Sequence, residues 1–248
     1  MVNRSFRKTR PWAGVVIAAV AMLAPLTGAA QQNKLAPGEY VLPGGSGVLV
    51  LKPGKSGALA FSIETVGANA HTCGLEGELR NGKATLEAMD EKEPCIVTMN
   101  AGKDGIDVKG NETGACQYYC GMRATFEGTY AQPAPACRAK TMEATRRAFK
   151  QLYDAKKFPE ARAKLEPLLT DCTKWLDWLE TGRIRNDLAV TLHKLGDFKT
   201  CQSVLQPLAA DAKSTDAKLQ DDYPPTDYDN YLPIVRATRT NLRLCQPK

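Results

Sequence analysis

The segment AQPAPAC, residues 131–137, divides the chain into two parts with different residue patterns. Before it, short runs of β-branched and aromatic residues alternate with turn-forming glycine, proline and asparagine. After it, glycine becomes rare and apolar residues recur every three or four positions, which is the helical period. A Pro/Ala-rich segment of this kind is typical of a boundary between structural units. We therefore predict an α+β protein with a β-rich domain over residues 31–130, a linker over 131–137 and a helical domain over 138–248.

Seven short runs before the linker have the composition of β-strands. Asn81-Gly82 lies between two of them and is the strongest hairpin signal in the chain. Seven or eight short antiparallel strands predict a small barrel or sandwich, because closure removes exposed sheet edges. The runs GEY at residues 38–40 and GTY at 128–130 would be the first and last strands and would meet at the seam.

Two stretches after the linker align without gaps at an offset of forty residues. AFKQLYDAKKFPEARAKLEPLL begins at Ala148, and LAVTLHKLGDFKTCQSVLQPLA begins at Leu188. Each predicts a helix, a short turn and a second helix, because the apolar spacing is three or four throughout. The matching positions are Leu152 and Leu192, Phe158 and Phe198, Ala161 and Cys201, Leu165 and Leu205, Pro167 and Pro207, and Leu168 and Leu208.

This pattern resembles tetratricopeptide repeats, whose signature is an aromatic residue after the turn, a small residue three positions later and a proline near the end of the second helix. The sequence departs from that family in its longer period, in the inserted CTKWLDWLETG and in the missing early tryptophan. The resemblance covers about residues 141–212. A last helix, LPIVRATRTNLRLC, would cap the array, with Pro233 tolerated in its first turn.

The first thirty residues have the features of a Sec-type signal peptide. A basic start precedes the apolar run WAGVVIAAVAMLAPL, and the small residues of TGAAQQ predict cleavage after Ala30. An uncleaved anchor is the alternative, although the run is shorter than the roughly 20 residues of a spanning helix. Cleavage would lower the formal net charge from +6 to +2, because four basic residues precede the apolar run. We therefore expect a periplasmic or secreted protein with no nucleic-acid partner and no membrane contact beyond the signal peptide.

All eight cysteines follow the signal, and an even number in an exported chain predicts disulfides. In an antiparallel helix pair, the start of one helix lies beside the end of the next. Cys137 should therefore bond Cys172, and Cys201 should bond Cys245. Each bond would close a loop of roughly 35–45 residues and contribute about 3–4 kcal/mol in the chain-entropy model.

The β-rich half has the layout C…CG…GTY, which resembles small secreted bacterial β-barrel domains of the lysozyme-inhibitor-like kind. That resemblance implies that Cys95 bonds Cys120, which leaves Cys73 for Cys116. The rival pairing of Cys73 with Cys95 and of Cys116 with Cys120 stays open. Taken whole, the chain resembles secreted proteins of Gram-negative bacteria that join a β-barrel to helical repeats.

Catalytic chemistry finds little support in the sequence. His71 and Cys73 are too close in sequence for a zinc clasp, and the spacing of Cys116 and Cys120 is one residue longer than a redox pair. The acidic segment DDYPPTDYDNY could hold calcium but is more typical of a solvated connector. We therefore predict a protein that is not an enzyme and has no catalytic residue, metal or cofactor.

The first helix of each tetratricopeptide pair lines a concave groove, and arginine or asparagine there suits carboxylates or extended backbone. The alternative is an ordinary solvated helix face. We expect an exported, non-catalytic binding or scaffolding protein that holds an envelope protein or peptide through a basic helical-repeat groove. The alternative is a lysozyme-inhibitor-like inhibitor or small-ligand carrier acting through the β-barrel. The residues that match groove positions are Arg146, Lys150, Tyr153, Arg183, Asn186, Val190 and His193, with Arg236, Arg239 and Arg243 on the last helix.

Overall fold

The computed structural model describes residues 34–88 and 92–247, and the predicted signal peptide lies outside them. Eight β-strands in two four-stranded antiparallel sheets come first, and a run of helices follows. The predicted α+β class and the order of its two parts are therefore confirmed. Within the described residues, none of the helices combines the length and the apolar character that crossing a membrane requires.

Both sheets are simple meanders in which each strand pairs with the next along the chain. Side chains alternate between buried and exposed along β-strands, and the buried set fills the space between the sheets. Leu49, Ile63, Val97 and Val108 are completely buried there. The strands are β1 (Gly38–Val41), β2 (Gly47–Pro53), β3 (Leu59–Val66) and β4 (Thr72–Leu79) in the first sheet, and β5 (Lys83–Leu86), β6 (Cys95–Ala101), β7 (Ile106–Lys109) and β8 (Gly128–Tyr130) in the second.

The two sheets meet at both of their edges, at each edge through a single pair of bridged residues. The predicted Asn81-Gly82 turn is present, with φ of 53° and 74°, and it leads from β4 to β5. At the other edge, Val41 and Ala131 exchange backbone hydrogen bonds of 2.8 and 3.0 Å, so the first and last strands meet as expected. Of the expected barrel or sandwich, the structure forms two four-stranded sheets and not a closed barrel: β5 pairs with β6, and the Gly82 carbonyl just before it accepts from Met99 N.

The helical half begins directly after the linker, whose Pro133 and Cys137 are buried. The first four helices pack in sequence order, and the last one packs back against the third. The helices are α1 (Ala139–Asp154), α2 (Phe158–Thr170), α3 (Trp178–Lys194), α4 (Phe198–Leu205), α5 (Ala209–Lys213), α6 (Asp216–Asp222) and α7 (Pro225–Leu244).

The turns within the first two helix pairs have the same geometry. Lys156 and Gly196, forty residues apart, both adopt left-handed backbone conformations, with φ of 59° and 74°. Phe158 and Phe198 each begin the second helix of their pair, as predicted. The small residue three positions later is fully buried in both pairs, so the two helices approach closely there.

Helix α7 begins earlier than the sequence predicts, at Pro225, and Pro233 therefore lies in its interior. Proline is favoured in the first turn of a helix, because its φ is already helical and its missing N–H needs no partner. The predicted acidic connector is reduced to Tyr223 and Pro224, because α6 ends at Asp222. Asp227 and Asp229 lie near the start of α7, where the helix dipole favours negative charge.

Candidate functional site

All eight cysteines form disulfides. The two pairs predicted in the helical half are confirmed, with Cα–Cα distances of 5.1 Å for Cys137–Cys172 and 5.6 Å for Cys201–Cys245. Four disulfides fit an oxidising setting such as the periplasm or the extracellular space.

The disulfides of the β-rich half differ from both pairings considered from the sequence. Cys73 bonds Cys120 and Cys95 bonds Cys116, which is the third of the three combinations. The reason is the short 3-10 helix Ala115–Tyr119, which crosses from the second sheet to the first. Cys116, near its start, lies over the first residue of β6, and Cys120, just after its end, forms an isolated bridge with Cys73 in β4. The segment GACQYYCG, residues 114–121, therefore ties the two sheets together through its two cysteines.

Three adjoining cavities lie on the surface formed by α1, α3 and α7, and we call this surface the groove. Their volumes are about 440, 370 and 390 Å³. The first lies between α1 and α3 over Phe149, Tyr153 and Val190, and the third lies between α3 and α7. The second extends to Gly45 of the β-rich half. Arg146 lines all three cavities.

Arg146 connects the first and third helices through two carboxylates. Its guanidinium forms ion pairs with Glu180 and, at 2.9 Å, with Asp187. Burial raises the pKa of the Asp187 carboxyl, an effect that Arg146 opposes and the negative charge of Glu180 reinforces. The predicted groove residue Arg146 is therefore in the groove, but its charge already has partners within the protein.

The other basic residues of the groove also have acidic neighbours. Lys150 pairs with Asp154 at 2.7 Å, and Arg183 lies 3.5 Å from Glu180. The groove therefore offers alternating positive and negative groups around an apolar floor. Long-range attraction of an acidic partner is weak at such a surface, because neighbouring opposite charges largely cancel.

Tyr153 and His193 occupy matching positions in the two helix pairs. The Tyr153 ring packs edge-on against Phe158 at a centroid distance of 5.4 Å, and the His193 ring packs against Phe198 at 5.9 Å. Burial and nearby carboxylates raise the pKa of Tyr153, which faces the first cavity. His193 does not line the three cavities, and its buried Nδ1 has no hydrogen-bond partner among the described residues.

Asn186 borders the third cavity, but its side chain serves the contact between α3 and α7. The amide nitrogen donates to the Gly182 carbonyl and to the Thr238 hydroxyl, both at 3.0 Å. Its carbonyl oxygen accepts from the Asn241 amide at 3.0 Å. Asn186 is buried, so it is not free to bind an extended backbone.

The three arginines predicted from the last helix lie away from the groove. Arg236 and Arg239 both pair with Asp216, at 2.8 and 2.6 Å, and Arg239 also donates to the carbonyls of Ala212 and Ser214. Arg243 is exposed near the end of the helix. The face of α7 that borders the groove instead carries Asp229, Asn230, Pro233, Ile234 and Ala237.

An aromatic cluster that the sequence did not indicate joins α3 to the later helices. The Trp178 ring stacks on Tyr223 and tilts against Tyr231, with centroid distances of 5.8 and 4.8 Å. Both tyrosine hydroxyls donate to Asp211, at 2.9 and 2.7 Å. Burial and the Asp211 hydrogen bond raise the pKa of Tyr223 to about 12, and that of Tyr231 rises for the same reasons. Trp175 lies in the short 3-10 helix Thr173–Trp175, directly before α3.

Among the described residues, histidine, cysteine and carboxylate side chains form no cluster that could hold a metal ion. Comparisons of the chain with models of protein families, with curated proteins and with solved structures found no match. The resemblances to tetratricopeptide repeats and to lysozyme-inhibitor-like domains therefore stay predictions.

Proposed function

We propose that this is an exported, non-catalytic binding protein that holds an extended segment of an envelope protein or peptide in the groove. The observation that carries the proposal is the meeting of three cavities at Arg146, on the surface of α1, α3 and α7. Similar helix pairs with matching turns support it, because tetratricopeptide-like arrays bind peptides on the corresponding surface.

The chemistry of the groove favours a peptide in which polar groups flank an apolar side chain. Phe149, Tyr153 and Val190 offer carbon surface to an apolar side chain. Lys150 and Asp154 at the rim offer a donor and an acceptor to polar groups on either side of it. Buried aromatic anchors inside a polar rim are the usual arrangement of peptide-binding hot spots.

The test uses the full chain with its disulfides and a library of short random peptides. The best binder is measured against Lys150→Glu combined with Arg183→Glu, which changes two exposed groove residues. Arg243→Glu is the matched control, because that arginine is exposed on the helical half but outside the groove. We expect at least about a tenfold loss of affinity for the groove variant, or about 1.4 kcal/mol. Equal affinities for the groove variant and the control would contradict the proposal.

A second candidate function is inhibition of a lysozyme by the β-rich half. The observation that favours it is a set of exposed apolar side chains near the Cys73–Cys120 disulfide: Val66, Tyr118 and Met122 are 55%, 50% and 87% exposed. Val66 pairs with Thr72, whose carbonyl accepts from Gly121 N, so Val66 and Met122 lie on neighbouring segments. Exposed apolar groups that lie together are typical of protein-binding surfaces.

Lysozyme activity in the presence of the full chain distinguishes this function from the first. Inhibition that is lost in Met122→Asp and retained in Leu244→Asp, an exposed apolar residue of the helical half, would support it. Absence of inhibition by the unmodified chain would exclude it.

A further inference from the structure

Helix α7 receives its N-terminal cap from the β-rich half. Pro224, at the cap position, provides no side-chain acceptor. Instead, Thr226 N donates to Asn69 Oδ1 at 2.9 Å, and Asn69 N donates to Asp227 Oδ2 at 2.9 Å. This reciprocal pair resembles a capping box, but the capping side chain takes the amide of the second helical residue instead of the third and comes from a turn 157 residues away in sequence.

The turn that supplies this cap has an unusual backbone conformation. Asn69 and Ala70 both have left-handed φ angles, 58° and 56°. Asparagine tolerates this region, but alanine is unfavourable there because its Cβ lies too close to the following carbonyl oxygen. Such strain persists only when surrounding contacts offset it, and the contacts with α7 are of that kind.

A second turn of the β-rich half holds the start of α3. Gly44 N donates to the Lys174 carbonyl at 2.7 Å. Gly45, with φ of 66°, packs so closely that a Cβ there would lie 2.7 Å from the Trp175 carbonyl oxygen and 2.9 Å from Asp177 N. Asp177 is itself the cap of α3, because its side chain accepts from Glu180 N at 2.7 Å.

The start of α1 is fixed on the same side. The chain leaves the sheets at Ala131, which is paired with Val41, and the Cys137–Cys172 disulfide precedes α1 directly. All three helices that line the groove therefore begin at the β-rich half or at the segment that leaves it.

We propose that the β-rich half is a base that fixes the starting ends of α1, α3 and α7, so that the two halves unfold as one cooperative unit. The inference rests on the contacts between the halves and does not depend on what the groove binds. It assigns the Ala68–Ala70 turn a positioning role for α7, the helix that forms one wall of the groove.

The experiment compares Asn69→Gly with Asn81→Gly in the full chain with its disulfides intact. Both asparagines have left-handed backbone conformations in turns of the β-rich half, and glycine keeps that conformation while removing the side chain. Only Asn69 contacts α7. Thr226 N loses its side-chain acceptor in this variant, and glycine weakens a helix cap only modestly, so we expect hydrogen exchange at Thr226 and the following amides to become about two- to threefold faster in Asn69→Gly alone.

A second pair of variants tests the other hydrogen bond. Asp227→Ala should accelerate exchange in the Ala68–Ala70 turn, whereas Asp229→Ala, two residues further along α7, should leave it unchanged. The proposal would be overturned if Asn69→Gly and Asn81→Gly gave equal exchange rates at the start of α7, and Asp227→Ala and Asp229→Ala gave equal rates in the Ala68–Ala70 turn. Two separate unfolding transitions would also overturn it, one followed by the fluorescence of Trp175 and Trp178 and the other by exchange in β2 and β3.

Discussion

At the scale of single residues, Lys156 has a backbone conformation that glycine adopts at the matching turn. Its φ of 59° compares with 74° at Gly196, and the residue after each donates to the carbonyl five positions earlier. A side chain with a Cβ is unfavourable in this region, whereas glycine enters it without steric cost. The exposed lysine therefore stores a small amount of strain.

We expect Lys156→Gly to raise the free energy of unfolding by about 1 kcal/mol, because it removes that strain. Chemical denaturation of the full chain measures the change. Ala155→Gly is the control, since Ala155 has an ordinary φ of −78° and its replacement should not stabilise the protein. A loss of stability in Lys156→Gly would show that the lysine side chain contributes more than the strain costs.

The hydroxyls of Tyr223 and Tyr231 make stability sensitive to alkaline pH. The folded-state pKa of Tyr223 is raised from 10.0 to about 12, mainly by burial and then by its hydrogen bond to Asp211. The folded protein therefore holds this proton more tightly than the unfolded chain does. The stabilisation is complete below pH 10 and is lost as the pH rises towards 12.

We expect the free energy of unfolding, measured by denaturation at a series of pH values, to fall across this range. Tyr231→Phe removes one of the two hydroxyls and should make the unfolding free energy fall less steeply with pH. Tyr118→Phe is the control, because Tyr118 is exposed. Identical slopes in the three proteins would show that the cluster does not cause the pH dependence.

At the scale of elements, the first two helix pairs and the last helix follow from the sequence, whereas α5 and α6 do not. Apolar residues recur every three or four positions, and Phe158 and Phe198 occupy matching positions after the turns. Together these features predict α1 to α4 directly. The start of α7 is misplaced, because Pro224 and Pro225 resemble a loop signal but also favour the first turn of a helix. Gly182, where a Cβ would lie 2.8 Å from Ile234 Cγ2, is the one local sign that a further helix packs closely on α3.

The Cys201–Cys245 disulfide joins the start of α4 to the end of α7. We expect the double variant Cys201→Ala/Cys245→Ala to lose about 4 kcal/mol of unfolding free energy, because 44 residues separate the two cysteines. The corresponding loss for Cys95→Ala/Cys116→Ala, with a separation of 21, should be about 3 kcal/mol. Chemical denaturation under non-reducing conditions gives both values, and a loss below about 1 kcal/mol would contradict the first expectation.

At the scale of the whole molecule, the residue pattern along the chain predicts the α+β class and the meeting of the first and last strands. It does not predict how the segment from Cys116 to Cys120 crosses between the sheets, because that depends on tertiary packing rather than on local pattern. The expected groove is only partly found: Arg146, Lys150, Tyr153 and Arg183 line its cavities, but His193 does not. Arg236 and Arg239 of α7 instead bind groups of α5 and α6. Helix rotation about its own axis is set by contacts such as Asn186 with Asn241, which have no signal in spacing.

The connectivity of the disulfides also has a consequence for the kinetics of oxidation. In the helical half, the four cysteines form two consecutive pairs, Cys137–Cys172 and then Cys201–Cys245. In the β-rich half, Cys95–Cys116 is enclosed within Cys73–Cys120, so the first partner that Cys73 meets during synthesis is a non-native one. Peptide maps of chains captured during synthesis should show correctly paired cysteines in the helical half and a transient Cys73–Cys95 species in the β-rich half. Maturation of this half would then depend on a thiol-exchange catalyst, whereas the helical half could oxidise correctly in order of emergence.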